Sequence, residues 1–479
     1  MSIISKYGLK NILLQLECHF TWILLKEDVD VDSLEDKTGH QIEFPLTKSN
    51  VTNYNMLSYV CHLKHLNEDA LKNLQKAEEE IEKKHPNEIG RRSLVTWGNY
   101  AWIYYHMDRY KEVQTYLSKV EDTCKKLSST ARYKIHLPEI YAEKGWALLK
   151  FGRTHYERAK ECFANALKKE PDNPEFNAGH AIAIYRLENM YQGNDEYENS
   201  SLEHLRRAVE LNPNDTSVVA LLALKLQDLN LVDEGERYIK EAMENTPDSP
   251  FFLRYAAKFY RRKGELAKSL ELLRKGLAVT PTCSFLHHQM GICYRKKLFE
   301  LKKATKYPPR GQVEELIRLC IFHFKRATEQ KSTFFSAYND LANMYAEASK
   351  YQEAEETFQK VFQMTNLHCA DKQELYYHYG RFQHLHRKSE SEAIKYYTDV
   401  LKIEFSSFAR NKCKIALQKL LEQKILKGSG DAAAFSTLGF IHELNNEKLQ
   451  AIECYEKSLE LDPENEEYQN ALLKLRLSI

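Results

Sequence analysis

The sequence has few residues that interrupt helices, with 12 prolines and 17 glycines among 479 residues. Segments rich in Leu, Ala, Glu and Lys fill the intervals between them, which favours a mostly helical fold. The chain is longer than a single hydrophobic core normally supports. We therefore expect either several domains or an array of repeats.

Paired cysteines and long apolar runs are also missing. Ten cysteines are scattered without a Cys-x-x-Cys pair, so the sequence indicates neither a disulfide framework nor a zinc site. No uninterrupted apolar run approaches bilayer length. The N-terminal stretch contains Glu17, His19 and Lys26 and lacks the compact apolar core of a signal peptide. These features predict a cytoplasmic protein without a membrane partner.

Motifs that carry chemistry are equally scarce. The sequence has no phosphate-cradling glycine loop, no nucleophile elbow and no acid/base motif. His287 and His288 are adjacent and therefore point to different faces of a helix, and no carboxylate lies at ligand spacing from them. We expect no enzyme activity, no catalytic residues, no metal site and no cofactor.

Internal repetition is the strongest positive signal. Pro213, Pro247 and Pro281 follow each other at 34-residue intervals, and small residues recur on the same period at Ala223, Ala257 and Gly291. A small residue lets two helices approach closely, and a proline stops the second helix of a pair. This spacing is typical of tetratricopeptide repeats. It predicts an all-α superhelical solenoid of nine or ten helix pairs, and the cations described below predict that its inner channel is positively charged.

Two segments interrupt the repeats. Asp28–Asn50 is predicted to be a loop that follows the first helix, and Lys302–Glu314 is predicted to be an insertion between two helices. A basic helix outside the repeat pattern is expected over Arg410–Lys427, followed by a Gly-Ser-Gly linker at 428–430. The predicted domains are an N-terminal helix and loop covering the pocket (1–50), N-terminal repeats (51–249), central repeats with a basic groove and the insertion (250–340), and C-terminal repeats (341–479).

Positive charge is concentrated in Arg254–Lys263, which holds five cations and no acid in a chain of net charge +1. In tetratricopeptide arrays the first helix of each pair lines the concave surface, and its inward positions here include Arg254, Lys258 and Arg261. Like charges on one stripe repel each other, so a bound polyanion would stabilise the arrangement. A solvated surface stripe, or pairing of each cation with a neighbouring acid, is the alternative.

Aromatic residues accompany these cations at Trp146, Tyr185 and Phe251. Cations for phosphates and rings for bases are what single-stranded nucleic acid requires. No recurrent pair of base-reading residues is visible, which predicts recognition of the backbone and the terminus instead of the base sequence. Two alternatives stay open: the rings could be packing residues, or the groove could belong to a scaffold that binds acidic peptide tails. Such scaffolds combine inward Asn with Lys, whereas the central positions here carry Arg with aromatics.

Several stretches resemble the family of interferon-induced proteins with tetratricopeptide repeats, and the resemblance covers essentially the whole chain. The C-terminal Leu475–Ile479 is most similar to the fifth member. The other stretches are Cys18–Trp22, Arg92–Trp102, Gly145–Lys150, Leu222–Asp228, Arg254–Lys263, His287–Gly291 and His378–Gln383.

The resemblance implies an interferon-induced antiviral effector of innate immunity that sequesters viral RNA from translation. The implied ligand is the 5′ end of single-stranded RNA, triphosphorylated or carrying an incompletely methylated cap, without a preference for DNA. Trp146 matches the tryptophan associated with the cap, whereas Lys37, Pro45 and Phe251 depart from the family pattern. Sister proteins or a second copy are expected to bind through the C-terminal repeats. The predicted RNA-binding residues are Lys37, Gln41, Trp146, Lys150, Tyr156, Tyr185, Arg186, Phe251, Arg254, Tyr255, Lys258, Arg261, His288, Gln289, Arg295 and Lys303.

Overall fold

The computed structural model describes residues 6–29, 31–43, 50–190, 200–245, 249–364 and 367–478; for residues 33, 36, 37, 40 and 43 this covers the backbone alone. Within these ranges the regular structure is helical and contains no strand. No helix there is long and apolar enough to cross a membrane.

The helices follow one another with short connections. In the first half of the chain they are α1 Lys6–Leu13, α2 Val31–Glu43, α3 Val51–Leu63, α4 Asn67–Lys84, α5 Ile89–Arg92, α6 Leu94–His106, α7 Tyr110–Lys126, α8 Pro138–Phe151, α9 Tyr156–Leu167, α10 Pro174–Met190, α11 Ser201–Leu211, α12 Thr216–Asp228 and α13 Val232–Asn245. In the second half they are α14 Pro250–Lys263, α15 Leu266–Val279, α16 Ser284–Ala304, α17 Arg310–Gln330, α18 Phe335–Glu347, α19 Tyr351–Phe362, α20 Cys369–Phe382, α21 Glu390–Lys402, α22 Phe408–Leu426, α23 Ala432–Leu444, α24 Lys448–Leu461 and α25 Glu466–Arg476.

Local sequence signals set the helix ends where the predicted site lies. The Ser249 side chain accepts a hydrogen bond from the Phe252 backbone N–H, and Pro250 occupies the first helical turn of α14. The same helix ends at Gly264, whose φ of 95° is the left-handed conformation that glycine adopts at low cost. The cationic stretch Arg254–Lys263 is therefore one continuous helix.

Small residues bring the two helices of a pair together, as the repeat pattern predicts. The Phe163 ring of α9 lies between Gly145 of α8 and Gly179 of α10. A Cβ atom at Gly179 would lie 2.2 Å from the ring and one at Gly145 would lie 2.7 Å from it. These contacts are too close for any side chain, so the two glycines fix the distances among α8, α9 and α10.

The chain forms two compact units, Met1–Gln289 and Met290–Ile479, and the division falls within α16. In the first unit the buried core comes from the facing sides of successive helices, with Phe163, Leu222 and Phe252 among its fully buried residues. In the second unit, separate clusters of buried residues surround Phe358, Tyr397 and Tyr455.

The prediction of a loop over Asp28–Asn50 was wrong, because most of this segment is the helix α2. Leu34 and Thr38, one turn apart, are buried, and α2 packs on α3. Lys64 ties the two helices together by ion pairs with Asp32 at 2.8 Å and Glu35 at 2.7 Å. Long-range packing thus stabilises a helix in a polar sequence that has weak local signals.

The insertion Lys302–Glu314 is also mostly helical, since α16 continues to Ala304 and α17 begins at Arg310. The basic helix over Arg410–Lys427 is confirmed as α22, and the chain turns after it at Gly428, whose φ is 74°. Pro171 and Pro213 are 42 residues apart, which predicts eight inserted residues in the polar run Asn189–Ser200, and residues 191–199 of this run lie outside the described ranges.

Candidate nucleic-acid interface

Arg254 lies among three aromatic rings contributed by α14 and α16. Its guanidinium carbon is 4.6 Å from the ring centroid of Tyr255, 5.1 Å from that of Phe251 and 5.2 Å from that of Phe285. The side chain is half-buried. Among the described residues, no carboxylate lies within ion-pair distance of it. The aromatic faces stabilise this charge without neutralising it.

Arg186 of α10 approaches the same position from another helix. Its Nη1 donates a hydrogen bond of 2.8 Å to the Leu149 carbonyl, and its guanidinium carbon lies 5.4 Å from the Tyr156 ring centroid. Burial raises the pKa of the Tyr255 phenol, but the charges of Arg254 and Arg186 outweigh burial and leave this pKa below its ordinary value. Two cations from separate helices therefore converge on one phenol.

Lys150 of α8 is the third cation of this region, next to the Leu149 carbonyl that holds Arg186. Its Nζ donates a hydrogen bond of 2.8 Å to Asn53 Oδ1 on α3. Burial lowers the pKa of Lys150 to about 7, although the Glu143 carboxylate acts in the opposite direction. An ammonium group with so low a pKa gains much from an approaching phosphate.

Trp146 lies one turn before Lys150 on α8. Its ring meets the Phe163 ring edge to face, with 5.2 Å between the centroids. Burial raises the pKa of the neighbouring Glu175 carboxyl, against a smaller opposing effect of the Trp146 N–H. The half-buried indole is thus fixed by packing and presents a rigid aromatic plane beside the cations.

The C-terminal half of α14 extends the positive region. Burial, and then the charges of Arg262 and Arg261, lower the pKa of Lys258 to about 8. Arg261 Nη2 donates a hydrogen bond of 3.2 Å to Gln289 Oε1. Arg262 is instead neutralised by an ion pair of 2.6 Å with Asp228. Lys258 and Arg261 are therefore the cations of this segment that add to the site.

The other predicted residues of the first unit differ in exposure. Tyr185 and His288 are each only 7% exposed, which places both in the packed support of the site instead of on its surface. Gln41 is half-buried on α2, and its backbone carbonyl accepts a long hydrogen bond of 3.5 Å from Asn53 Nδ2. The Lys37 side chain lies outside the described part of the chain.

Arg295 and Lys303 belong to the second unit. Arg295 forms an ion pair with Asp340 of α18, whereas Lys303 is exposed near the C-terminal end of α16. Their contact with RNA stays a prediction.

Sequence reasoning missed a group of buried polar residues behind Lys150. Asn53, Asn55 and Glu143 are at most 9% exposed, and Asn55 Nδ2 donates a hydrogen bond of 2.8 Å to Glu143 Oε1. Burial raises the pKa of Glu143 to about 7, with the Asn55 hydrogen bond opposing it. His19 is fully buried nearby, and burial together with the Lys150 charge lowers its pKa to about 3. The one available signal was a polar residue at a core position of a helix, as at Asn55 and Glu143.

The arrangement favours binding of a polyanion beside aromatic planes. Lys150, Arg186 and Arg254 can donate to phosphate oxygens, and Arg can do so through two parallel hydrogen bonds. Within the described residues, no group of three His, Cys, Asp or Glu side chains could hold a metal ion.

Comparison with known proteins begins with the repeat itself. Models of the tetratricopeptide repeat match residues 143–216, 335–366 and 432–465. The fold and these matches define a tetratricopeptide-repeat protein, which confirms the predicted all-α fold class.

Whole-chain similarity is more specific. The chain is 49% identical over 457 residues to Protein IFIT1 homolog B of Homo sapiens, covering 95% of this chain and 96% of that protein. It is 42% identical over 466 residues to Interferon-induced protein with tetratricopeptide repeats 2 of Homo sapiens, covering 96% and 97%. The chain therefore belongs to the family of interferon-induced proteins with tetratricopeptide repeats, as its motifs predicted.

Solved structures of a relative have the same fold. The human IFIT1 dimer with m7Gppp-AAAA has a TM-score of 0.87 and 46% identity, and the human IFIT1 dimer with PPP-AAAA has a TM-score of 0.85 and 46% identity. In both cases the match covers 95% of this chain and 99% of the other. The greater similarity to the fifth member stays a prediction.

Proposed function

We propose that this protein is an antiviral, non-catalytic effector that binds the 5′ end of single-stranded RNA in the cytoplasm and sequesters the RNA from translation. The convergence of Arg254 and Arg186 on Tyr255 carries this proposal. Lys150 and Lys258 add two ammonium groups whose pKa values are lowered mainly by burial, so a phosphate that approaches either of them stabilises its charged form.

A 5′-triphosphate is the ligand that these charges fit best. It concentrates several negative charges on one short group, and three cations from separate helices can contact it at once. Trp146 and Phe251 supply planes for the terminal base or an incompletely methylated cap. The similarity to human IFIT1, whose solved structures contain PPP-AAAA or m7Gppp-AAAA, supports both ligands.

Other parts of the proposal follow from the family. A relative in Macaca fascicularis is named an antiviral innate immune response effector, which supports the antiviral role. We further propose that the C-terminal repeats bind a second copy or sister proteins, and the human IFIT1 dimers support self-association. The proposed site binds the 5′ terminus and the backbone of the RNA, so the base sequence should have little effect on affinity. No preference for DNA is expected.

A titration with one short RNA tests the proposal. Fluorescence anisotropy should rank triphosphate above monophosphate above hydroxyl ends, with at least about tenfold between the first and last. The logarithm of the affinity should fall with that of salt at a slope of about −0.7 for each phosphate contacted. Equal affinity for triphosphate and hydroxyl ends would overturn the proposal, as would tighter binding of an acidic peptide.

A further inference from the structure

Lys150 is held by a chain of hydrogen bonds that starts outside the phosphate site. Asn53 Oδ1 accepts from Lys150 Nζ at 2.8 Å, and Asn53 Nδ2 donates to Asn50 Oδ1 at 3.3 Å. Asn50 Nδ2 in turn donates to the Ile42 carbonyl of α2 at 3.3 Å. The position of the Lys150 ammonium group is thus tied to both α2 and α3.

A second hydrogen bond, from Asn55, fixes the Glu143 carboxylate on the helix of Lys150. Glu143 lies seven residues before Lys150 on α8, two turns away on the same face of the helix. The Asn55 amide donates to the Glu143 carboxylate at 2.8 Å, and both residues are buried. A buried carboxylate held by an amide keeps a defined position, and its charge favours the protonated form of Lys150.

We propose that Asn53, Asn55 and Glu143 are positioning residues for Lys150. Asn53 orients the ammonium group by a direct hydrogen bond. The Glu143 carboxylate, held by Asn55, favours the protonated form of Lys150 before RNA arrives. The inference rests on the proposed function, because it assigns to these residues the preparation of one phosphate-binding group.

Among the groups around Lys150, Glu143 is the charged one that acts on its pKa. Glu143 of its own helix raises its pKa, whereas burial lowers it. Asn53 and Asn55 of α3 are neutral. His19, from the segment after α1, has a pKa of about 3 and is uncharged near neutral pH. Glu175 of α10 acts on Glu143, whose pKa it raises further. Glu143 is therefore the carboxylate on which the protonation of Lys150 depends.

The first test measures the pH at which Lys150 loses its proton in the absence of RNA. The rate of acetylation of Lys150 by acetic anhydride, followed by mass spectrometry across pH, reports the midpoint of its deprotonation, expected near 7. Glu143→Gln should lower this midpoint by about one pH unit, and Asn53→Asp should raise it by about one unit. Glu79→Gln, at an exposed position of α4, removes the same charge and should leave the midpoint unchanged. Unchanged midpoints in both site variants would overturn the inference.

The second test uses triphosphate RNA and a double-mutant cycle. Glu143→Gln should shift the pH at which affinity declines to lower values, and it should have no further effect in a Lys150→Ala background. If Glu143→Gln changed the affinity in the Lys150→Ala background as much as in the wild-type protein, its role would be purely structural and the inference would be overturned. Loss of the native circular dichroism spectrum in the isosteric Glu143→Gln variant would also overturn it. If wild-type protein binds triphosphate and hydroxyl RNA equally, the proposed function fails, and the acetylation midpoints still decide whether these residues control Lys150.

Discussion

Arg254 in the first unit and Arg295 in the second occupy the first helix of their helix pairs, and both are half-buried beside aromatic rings. Their charges meet different partners. Arg254 contacts three rings and, among the described residues, no carboxylate, whereas Arg295 pairs with Asp340. The comparison shows that the repeat predicts which way a side chain points, while a partner on another helix decides whether its charge can bind a ligand.

Reversing the charge of Arg254 and removing that of Arg295 should separate the two cations most strongly. Arg254→Glu should weaken binding of triphosphate RNA at least about 100-fold, because a charge-assisted hydrogen bond worth roughly 1.5–3 kcal/mol is replaced by repulsion. Arg186→Glu should have a similar effect. Arg295→Gln should change the affinity less than about threefold, because Asp340 already neutralises this cation. Anisotropy titrations measure all three, and comparable losses at 254 and 295 would remove the distinction between the units.

The pH dependence of binding should distinguish the lysines of the two units. Phosphate stabilises the ammonium form of Lys258, whose pKa of about 8 in the free protein must rise on binding. Lys258 therefore takes up a proton on binding and should contribute a fall in affinity of up to roughly tenfold for each pH unit above 8, in addition to the decline that Lys150 causes from about pH 7. Terminal phosphates are fully ionised above pH 7, so their own titration does not mask the effect.

Arginine substitutions check this assignment. Lys258→Arg should make the decline above pH 8 less steep, by up to about tenfold per pH unit, and leave the part that Lys150 causes, because arginine keeps its proton. Lys296→Arg is the matched control in the second unit, where the lysine lies 4.0 Å from Glu300, and it should leave the profile unchanged. Identical profiles for wild-type protein and Lys258→Arg would show that Lys258 does not contact phosphate.

Folding stability should show the reverse order of effects. Arg295→Gln leaves the buried carboxylate of Asp340 without its cation, and it should lower the Tm by about 4 °C or more. Arg254→Gln removes ring contacts alone and should lower the Tm by less than half as much. Thermal unfolding followed by circular dichroism gives both values. A larger loss at Arg254 would mean that this cation serves the fold.

The sequence predicted the repeating framework because its signals are local. Pro213 and Pro281 end helices, Ala257 permits close packing, and these features recur at a fixed period. That Lys150, Arg186 and Arg254 face the concave surface could be predicted from their positions in the repeat. The joint effect of Arg186 and Arg254 on Tyr255 could not, since Arg186 lies on a different helix.

Pairings between distant residues could not be predicted in this way. Arg262 meets Asp228 at a separation of 34 residues and Arg295 meets Asp340 at a separation of 45. Asn53 meets Lys150 at a separation of 97 residues. The helix α2 was missed for a related reason, because the burial of Leu34 and the ion pair of Glu35 with Lys64, 29 residues away, stabilise it more than its own composition does.

The close packing of Phe163 against Gly145 and Gly179 also affects how genetic data on this protein should be interpreted. Neither glycine has a side chain that could contact RNA. Gly145 nevertheless lies on the same helix as Lys150, and Gly179 lies on the same helix as Arg186. An added methyl group at Gly179 would push α10 away from α9. This would displace Arg186, which lies two turns further along the same helix. In a screen for loss of RNA binding, substitutions at these glycines would therefore be found together with substitutions of residues that contact RNA directly. Natural variation at these two glycines would then report on the geometry of the site, with no change in its chemistry.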